Sequence, residues 1–401
     1  MTAPAQIPSP AHILAETMLS RRFGKETANY FSSSPINRLS FLRNDHSFIS
    51  SALKHPSTKF LLLNKLAPLT RSPAEPYYAQ YDEVRGLIPQ DLFDKTEDEM
   101  LKEFDSRKTH PNLIFLGLDE SRKESNDLMT YKNYAGHPFF AVDVTPGAPM
   151  SNKALAPTRV IMTFPPEEAA VYAQARALMD WNTRNTFCGT CGQRTLSINA
   201  GTKRACPPTD VARFAEGLPP NRPECNTRTT LSNLSFPRTD PTIIVAVVSA
   251  DGKRILLGRS KRFPPKWYST LAGFIEPGES IEDAVRREVW EESGVTLSRV
   301  VIHSSQPWPY PANLMIGAVA QCSDAAHEKI SLEHDPELED ARWFEIEEVE
   351  EALRIGTSDL STGAGPEYKG GLRLPPATAI AHQLIQAAVN ADYFQADKSK
   401  M

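Results

Sequence analysis

The sequence predicts an α+β protein of several domains, and three observations carry that prediction. Short apolar runs of strand length recur along the 401 residues: FLLL at 60–63, LIFLGL at 113–118, FFAVDV at 139–144 and IIVAVV at 243–248. Helical segments stand among and after them, at 166–179, 280–293, 347–354 and 378–389. Four of the five cysteines fall between residues 188 and 225, in a stretch poor in long apolar runs that divides the chain into two halves.

Composition narrows the possibilities. Hydrophobic residues make up 40% and charged residues 23%, enough to bury a sizeable core and too apolar for a wholly disordered chain. The formal net charge of −5 and pI near 6.0 argue against a generally basic nucleic-acid or membrane-surface binder. No apolar run approaches the ~18–20 residues of a membrane helix, so no membrane role is expected. The N-terminus lacks a basic segment followed by a clean apolar stretch, which argues against a secretory signal. Clustered cysteines in such a chain point to a metal site rather than a disulfide framework.

In order along the chain, residues 1–30 read as a flexible N-terminus and 31–181 as an α+β domain. Pro165-Pro166-Glu167-Glu168 opens its last helix, with proline and acids suited to the first turn. Residues 182–236 hold the cysteines, and 207–224, with five prolines, reads as an inserted loop. Residues 237–393 form a second α+β domain with a mixed sheet. Its first strand turns at Asp251-Gly252 into a return strand, a hairpin signal. Residues 394–401 form a polar tail. No internal repeat is visible.

The sharpest feature is the segment from Gly273 to Val295. Pro277-Gly278 is a turn, Ser280 with Asp283 is a capping box, and Gly294 ends the helix in a left-handed cap. Ile281, Val285, Glu288 and Glu292 are spaced four, three and four, so they share one helix face, with Glu291 close by. A solvated charged face would lie opposite the core stripe, whereas this one continues it. Carboxylates held together repel unless cations neutralise them. Hard divalent cations such as Mg²⁺ or Mn²⁺ suit oxygen ligands.

The segment resembles the Nudix box of the Nudix hydrolases, G-x5-E-x7-R-E-U-x-E-E-x-G-U, with U a bulky aliphatic residue. Gly273, Glu279, Arg287, Glu288, Val289, Glu291, Glu292, Gly294 and Val295 match every specified position. The resemblance implies a Nudix α/β/α sandwich and metal-assisted hydrolysis of a nucleoside diphosphate linked to another group. It implies Glu288, Glu291 and Glu292 as ligands of Mg²⁺ or Mn²⁺, with the Ala272 carbonyl completing the site. Arg287 would orient the glutamates and Glu279 would fix the turn. Glu292 is the expected acceptor of the water's proton.

Residues 305–313 read SQPWPYPAN. Prolines at alternate positions make a stiff, extended backbone that cannot be a regular central strand. By themselves they suit an ordinary loop or a polyproline ligand. Behind a Nudix box they resemble the S-Q-P-W-P-F-P-x-S array of the NADH pyrophosphatase branch, with Tyr310 and Asn313 departing from it. That resemblance implies a dinucleotide substrate, NADH or NAD⁺, contacted by Gln306, Pro307, Trp308, Pro309, Tyr310, Pro311, Ala312 and Asn313. FPRTDP at 236–241 and the box imply a base held between Phe236 and Phe274, one of them from a partner subunit. ELEDARW at 337–343 implies a further metal carboxylate at Glu337, where an exposed acidic loop is the plain alternative. LPP at 374–376 leads to Ala381, implied to approach the substrate.

Cys188-Gly189-Thr190-Cys191 is a C-x-x-C knuckle, with Cys206 and Cys225 following. Four thiolates favour a closed, structural Zn²⁺ site. A redox pair is the alternative for C-x-x-C alone. The family places a zinc ribbon at this point, and its last spacing is shorter than that to Cys225. Cys322 reads as a buried small apolar residue. Zinc ribbons also touch nucleic acid, but the neighbourhood is only mildly basic.

NRLSFLR at 37–43 and LKHPSTK at 53–59 resemble the N-terminal domain of eukaryotic, peroxisomal-type NADH pyrophosphatases, which implies a homodimer. Ser399-Lys400-Met401 resembles the C-terminal peroxisomal signal and implies the peroxisome, with an import receptor as partner; the cytoplasm is a second location. The expected activity is conversion of NADH and water into reduced nicotinamide mononucleotide and AMP. The alternatives are removal of an NAD cap from RNA, with RNA bound only as that capped substrate, and a catalytically silent nucleotide-binding module.

Overall fold

The computed structural model describes residues 27–89, 92–108, 110–121, 127–145, 154–155, 161–230, 236–276, 279–334 and 337–390. Most of the expected flexible N-terminus, the Pro277-Gly278 turn and the tail with Ser399–Met401 lie outside them. The chain divides into two compact units. The first takes Phe31–Arg238 with Pro309–Ala312; the second takes Thr239–Trp308, residues 27–30 and the chain from Asn313 onward. Among the described residues, no helix is long and apolar enough to cross a membrane.

The first unit is built on strands β1 (Ile36–Asn37), β2 (Lys59–Asn64), β3 (Ala67–Ser72), β4 (Glu75–Pro76), β5 (Tyr78–Ala79), β6 (Leu113–Asp119), β7 (Met129–Tyr131), β8 (Tyr134–Asp143) and β9 (Ala154–Leu155). The sheet runs β1-β6-β8-β2-β3-β4, with β5 on β2, β7 on β8 and β9 on β3. Its central strands are the apolar runs, buried on both faces. On one face, Phe48, Ile49 and Leu53 of helix α1 (His46–Lys54) pack with Phe60, Phe115 and Phe140. Asp45 caps this helix, accepting the Phe48 N–H. Helix α2 (Pro166–Arg184) lies against the sheet, where Gln174 donates to the Leu116 carbonyl at 2.9 Å. It begins at the expected prolines and continues past the expected boundary at 181.

The ribbon belongs to the same unit. Its hairpin is β10 (Leu196–Ile198) and β11 (Lys203–Ala205). The expected inserted loop at 207–224 is organised. Thr209 bridges to Asn221, Ala212–Ala215 is a helical turn, and Arg222 pairs with Asp210 at 2.6 Å with both side chains buried. Burial pushes the Asp210 carboxyl up, but the backbone N–H of Ser106 and the Arg222 guanidinium hold it below its ordinary range.

The second unit holds β12 (Asp240–Val248), β13 (Arg254–Ser260), β14 (Leu271–Phe274), β15 (Leu297–Trp308), β16 (Asn313–Cys322) and β17 (Leu338–Glu345). The order is β15-β16-β12-β13-β17, with β14 on β12. Alternation along β12 splits the core in two. Ile243, Val245 and Val247 face helix α3 (Ile281–Ser293) through Ala284, Val285 and Val289. Ile244, Ala246 and Val248 face α4 (Ile346–Ile355) and α5 (Ile380–Val389) through Val349, Ala352, Leu384 and Ile385. This is the α/β/α sandwich with a mixed sheet. Cys322 is buried in the α3-side core, as expected.

Residues 338–345, to which the sequence reading assigned no strand, are an edge strand; Ala341 and Phe344 are buried in the two different cores while charged neighbours alternate with them. One reading of the sequence is corrected. A repeat is present after all, in backbone pairing. In the first unit β6 and β8 are antiparallel, β8 and β2 parallel, and β2 and β3 antiparallel. In the second, β15 and β16 are antiparallel, β16 and β12 parallel, and β12 and β13 antiparallel. Only the apolar character of the strands is shared in sequence, so spacing and motif searches miss it.

Candidate active site and metal centres

The box is built where β14 passes into α3. Ser280 caps the helix by accepting the Asp283 N–H, and its hydroxyl donates to the Asp283 carboxylate at 2.8 Å. Gly294 closes it in the left-handed conformation, φ 74°, donating to the Trp290 carbonyl. Val285 and Val289 anchor the helix on the sheet, and Glu292 continues their stripe at 5% exposure.

Arg287 is the hub. Its Nε and Nη2 grip Glu279 in a two-point contact at 2.7 and 2.8 Å. Its Nη1 donates to Glu288 at 2.8 Å and Glu291 at 2.9 Å, and Nη2 also donates to the Phe274 carbonyl at 2.8 Å. This encirclement raises the Arg287 pKa and holds the Glu279 carboxyl below its ordinary range. Glu288 moves the other way: burial raises its pKa, and Arg287 opposes that only partly.

Gly273 explains the first position of the motif. A Cβ there would sit 2.0 Å from the Glu288 carboxyl carbon. The carboxylate therefore lies directly on the strand backbone, one residue from Ala272. Three carboxylates share one guanidinium, and buried Glu292 lies on the same helix, which leaves an excess of negative oxygen ligands suited to a hard divalent cation. Glu337 is exposed immediately before β17.

The proline array is the end of a hairpin. Gln306, Pro307 and Trp308 finish β15, an edge strand where proline is tolerated, paired through Trp308 and Asn313 with β16. Two of the expected substrate contacts are tied into the fold itself. Gln306 is 1% exposed, and its amide is fully used. It donates to the carbonyls of Tyr30 at 3.0 Å and Thr378 at 2.9 Å, and accepts the Ile380 N–H at 3.0 Å. It thus caps α5, whose N-cap Ala379 offers no side-chain acceptor. Tyr310, in the first unit, lies beneath the Arg176 guanidinium at 4.7 Å and meets Phe31 edge-on. Arg176 also donates to the Pro309 carbonyl at 2.6 Å. Arg176 was not legible as a partner, because 133 residues separate it from Pro309.

Among the remaining expected contacts, Pro309 is buried, Pro307, Trp308 and Ala312 are half-buried, and Pro311 is exposed. Asn313 donates to the Thr242 hydroxyl at 3.2 Å. Ala381 is buried in the α5-side core, so its methyl packs rather than projects. Phe274 is 58% exposed beside the box. Phe236, in the first unit, is 44% exposed, with the Lys203 ammonium 5.7 Å from its ring centroid.

The cysteines converge. The Sγ atoms of Cys188, Cys191, Cys206 and Cys225 all lie within 4.8 Å of one another, with closest pairs at 3.5 and 3.6 Å. A tetrahedron with Zn–S bonds of ~2.3 Å has edges of ~3.8 Å, so the quartet fits Zn²⁺. Cys225 joins despite its wide spacing, because the 207–224 excursion closes on itself. Arg228 fastens the return by donating to the carbonyls of Cys206 at 3.1 Å and Pro207 at 3.2 Å. Burial raises the Cys188 thiol, but the Thr227 hydroxyl and backbone N–H groups outweigh it and bring the pKa to about 6. No disulfide links any cysteine.

Two measurements check these centres. Gly273→Ala is expected to cut kcat/KM on the order of 100-fold by displacing Glu288, with folding retained; activity within about twofold of the parent would refute the contact. Metal analysis is expected to find about one zinc per chain, and Cys225→Ser is expected to lose it and melt at lower temperature. Full zinc retention would exclude Cys225 from the site.

Comparison with known proteins fits both centres. A NUDIX domain model matches residues 238–361, an NADH pyrophosphatase-like rudimentary NUDIX domain matches 57–181, and an NADH pyrophosphatase zinc ribbon domain matches 184–212. The chain is similar to "NAD-capped RNA hydrolase NUDT12" of Homo sapiens, 36% identical over 90% of this chain and 73% of the relative. It is 34% identical to "NAD-capped RNA hydrolase" of Schizosaccharomyces pombe over 94% of this chain and 97% of that one. "NAD(P)H pyrophosphatase NUDT13, mitochondrial" of Homo sapiens is 31% identical over 82% of this chain and 83% of the relative. Likeness of this depth, spread over both sheets and the ribbon between them, makes the chain a hydrolase of the NADH pyrophosphatase branch of the Nudix family.

Proposed function

We propose that this hydrolase cleaves the diphosphate of NADH, giving reduced nicotinamide mononucleotide and AMP, and accepts NAD⁺ and related dinucleotides. The observation that carries the reading is the complete box, its carboxylates gathered around Arg287 against Gly273. When bound, Mg²⁺ or Mn²⁺ neutralises the diphosphate oxygens and lowers the pKa of the attacking water. Glu288, Glu291 and Glu292 hold the cation, with the Ala272 carbonyl and Glu337 as further ligands. Arg287 aims the carboxylates. Glu292 takes the water's proton as a P–O bond forms and the bridging P–O bond breaks. Phe236 and Phe274 are the aromatic faces offered to a base, and Trp308 with its flanking prolines and Asn313 borders the dinucleotide. Gln306 and Tyr310 position rather than contact it.

Zn²⁺ has a structural role in this reading. A homodimer is part of it, supported by exposed Val301 and Ile302 on edge strand β15; a one-chain mass in sedimentation would reject it. The tail supports peroxisomal import, with the cytoplasm as second location. The printed names of the two NAD-capped RNA hydrolases favour a second reading, removal of an NAD cap from RNA, which breaks the same bond in a larger substrate.

Purified protein with Mg²⁺ is expected to yield equimolar reduced mononucleotide and AMP, with NADH turned over faster than NAD⁺ or ADP-ribose. Turnover of NAD-capped oligonucleotide rivalling that of NADH would promote the second reading. Cleavage of none of these with either metal would sink both. A tagged chain lacking Ser399–Met401 is expected to stay out of peroxisomes; import equal to that of the full chain would refute the signal.

A further inference from the structure

The first unit contains a cavity of about 300 Å³ between the α1 side of its sheet and the ribbon hairpin. Its charge is unbalanced. Arg43, Lys108, Arg194 and Arg204 line it with His46 and His110, against two carboxylates, Glu97 and Asp143. Both carboxylates are engaged locally: Glu97 accepts the Asn199 N–H at 2.6 Å, and Asp143 accepts the Thr145 N–H at 3.0 Å. Arg204 is 6% exposed and is held by neutral groups alone, the Thr195 hydroxyl and carbonyl and the Asn182 amide oxygen.

Two nitrogens in the wall are buried without a partner among the described residues, the Arg43 Nε donor and His46 Nδ1. Leaving such groups unmet is costly, most of all for a charged one. Burial, and next the charge of Arg38, lower the Arg43 pKa, which marks a cation with no local anion. The same wall carries apolar surface from Phe93, Met100 and Phe104.

We propose that this cavity binds a phosphate monoester of mononucleotide size, its phosphate met by Arg43 and His46 and its ring or sugar by the apolar wall. The volume, at the low end of small-molecule pockets, excludes a longer chain. Guanidinium forks match phosphate oxygens, and buried donors are where such contacts are strongest. Neither the box nor the proline array supplies a residue to it, so the site is separate from catalysis.

The test is calorimetric titration of the full chain carrying Glu288→Gln, which disables the box and leaves the cavity intact. The titrants are inorganic phosphate, AMP and a 5′-phosphorylated hexanucleotide. AMP is expected to bind at least tenfold tighter than phosphate, and added Arg43→Met to weaken both at least tenfold. Lys108→Met, on a more accessible wall, serves if Arg43→Met fails to fold, and is expected to weaken AMP severalfold. No binding, or binding indifferent to these substitutions, would overturn the site. Hexanucleotide binding tighter than AMP would overturn the assignment of a small ligand.

Discussion

One guanidinium organises the catalytic unit. Arg287 reaches Glu279 across the turn, Glu288 beside it and Glu291 a helical turn on, and ties all three to the Phe274 carbonyl of the preceding strand. Without that positive charge, carboxylates this close would repel and protonate. With it, they are held together and still outnumber the cation at their centre. The remaining architecture serves this arrangement. Val285 and Val289 seat the helix, Gly273 lets Glu288 lie on the strand, and Gly294 turns the chain away at the end.

The two sheets share a pairing pattern but not a chemistry. In the second unit, the segment between the hairpin and the next strand pair carries α3 and its glutamates. In the first unit, the described residues of the corresponding stretch between β3 and β6 form only short helices, Tyr81–Val84 and Glu97–Lys102. Its sheet is instead covered by α1, through Phe48 and Leu53, and by α2, through Gln174. A common backbone plan has thus been kept where it packs and relieved of the residues that would make it a catalyst, in line with the rudimentary NUDIX model matched there. Fold and function are separable properties.

Legibility in the sequence followed the distance over which each interaction acts. The box was readable because its contacts are local: capping at Ser280 and Gly294, and a carboxylate stripe set by helical periodicity. The cysteine knuckle was readable for the same reason. The structural ties of Gln306 were not readable because its partners, Tyr30, Thr378 and Ile380, are brought to it only by the tertiary fold. Those of Tyr310 were hidden likewise, since Arg176 lies far away in the chain. β17 was hidden because its two fully buried residues, Ala341 and Phe344, belong to opposite cores and acidic and basic residues are interspersed with its apolar ones. The order within 207–224 rests on one buried pair, Arg222 with Asp210, whose partners look like ordinary surface charges in sequence.

That buried pair bears on how the protein is made. Synthesis runs from the N-terminus, so three thiols are available once Cys206 has emerged, and the fourth arrives only with Cys225. The Arg222–Asp210 contact closes the intervening excursion just before that last thiol and shortens the loop whose ends must meet. All four clustered cysteines precede Thr239, where the second unit begins. A metal held by them would be bound on the nascent chain before the box glutamates have been translated.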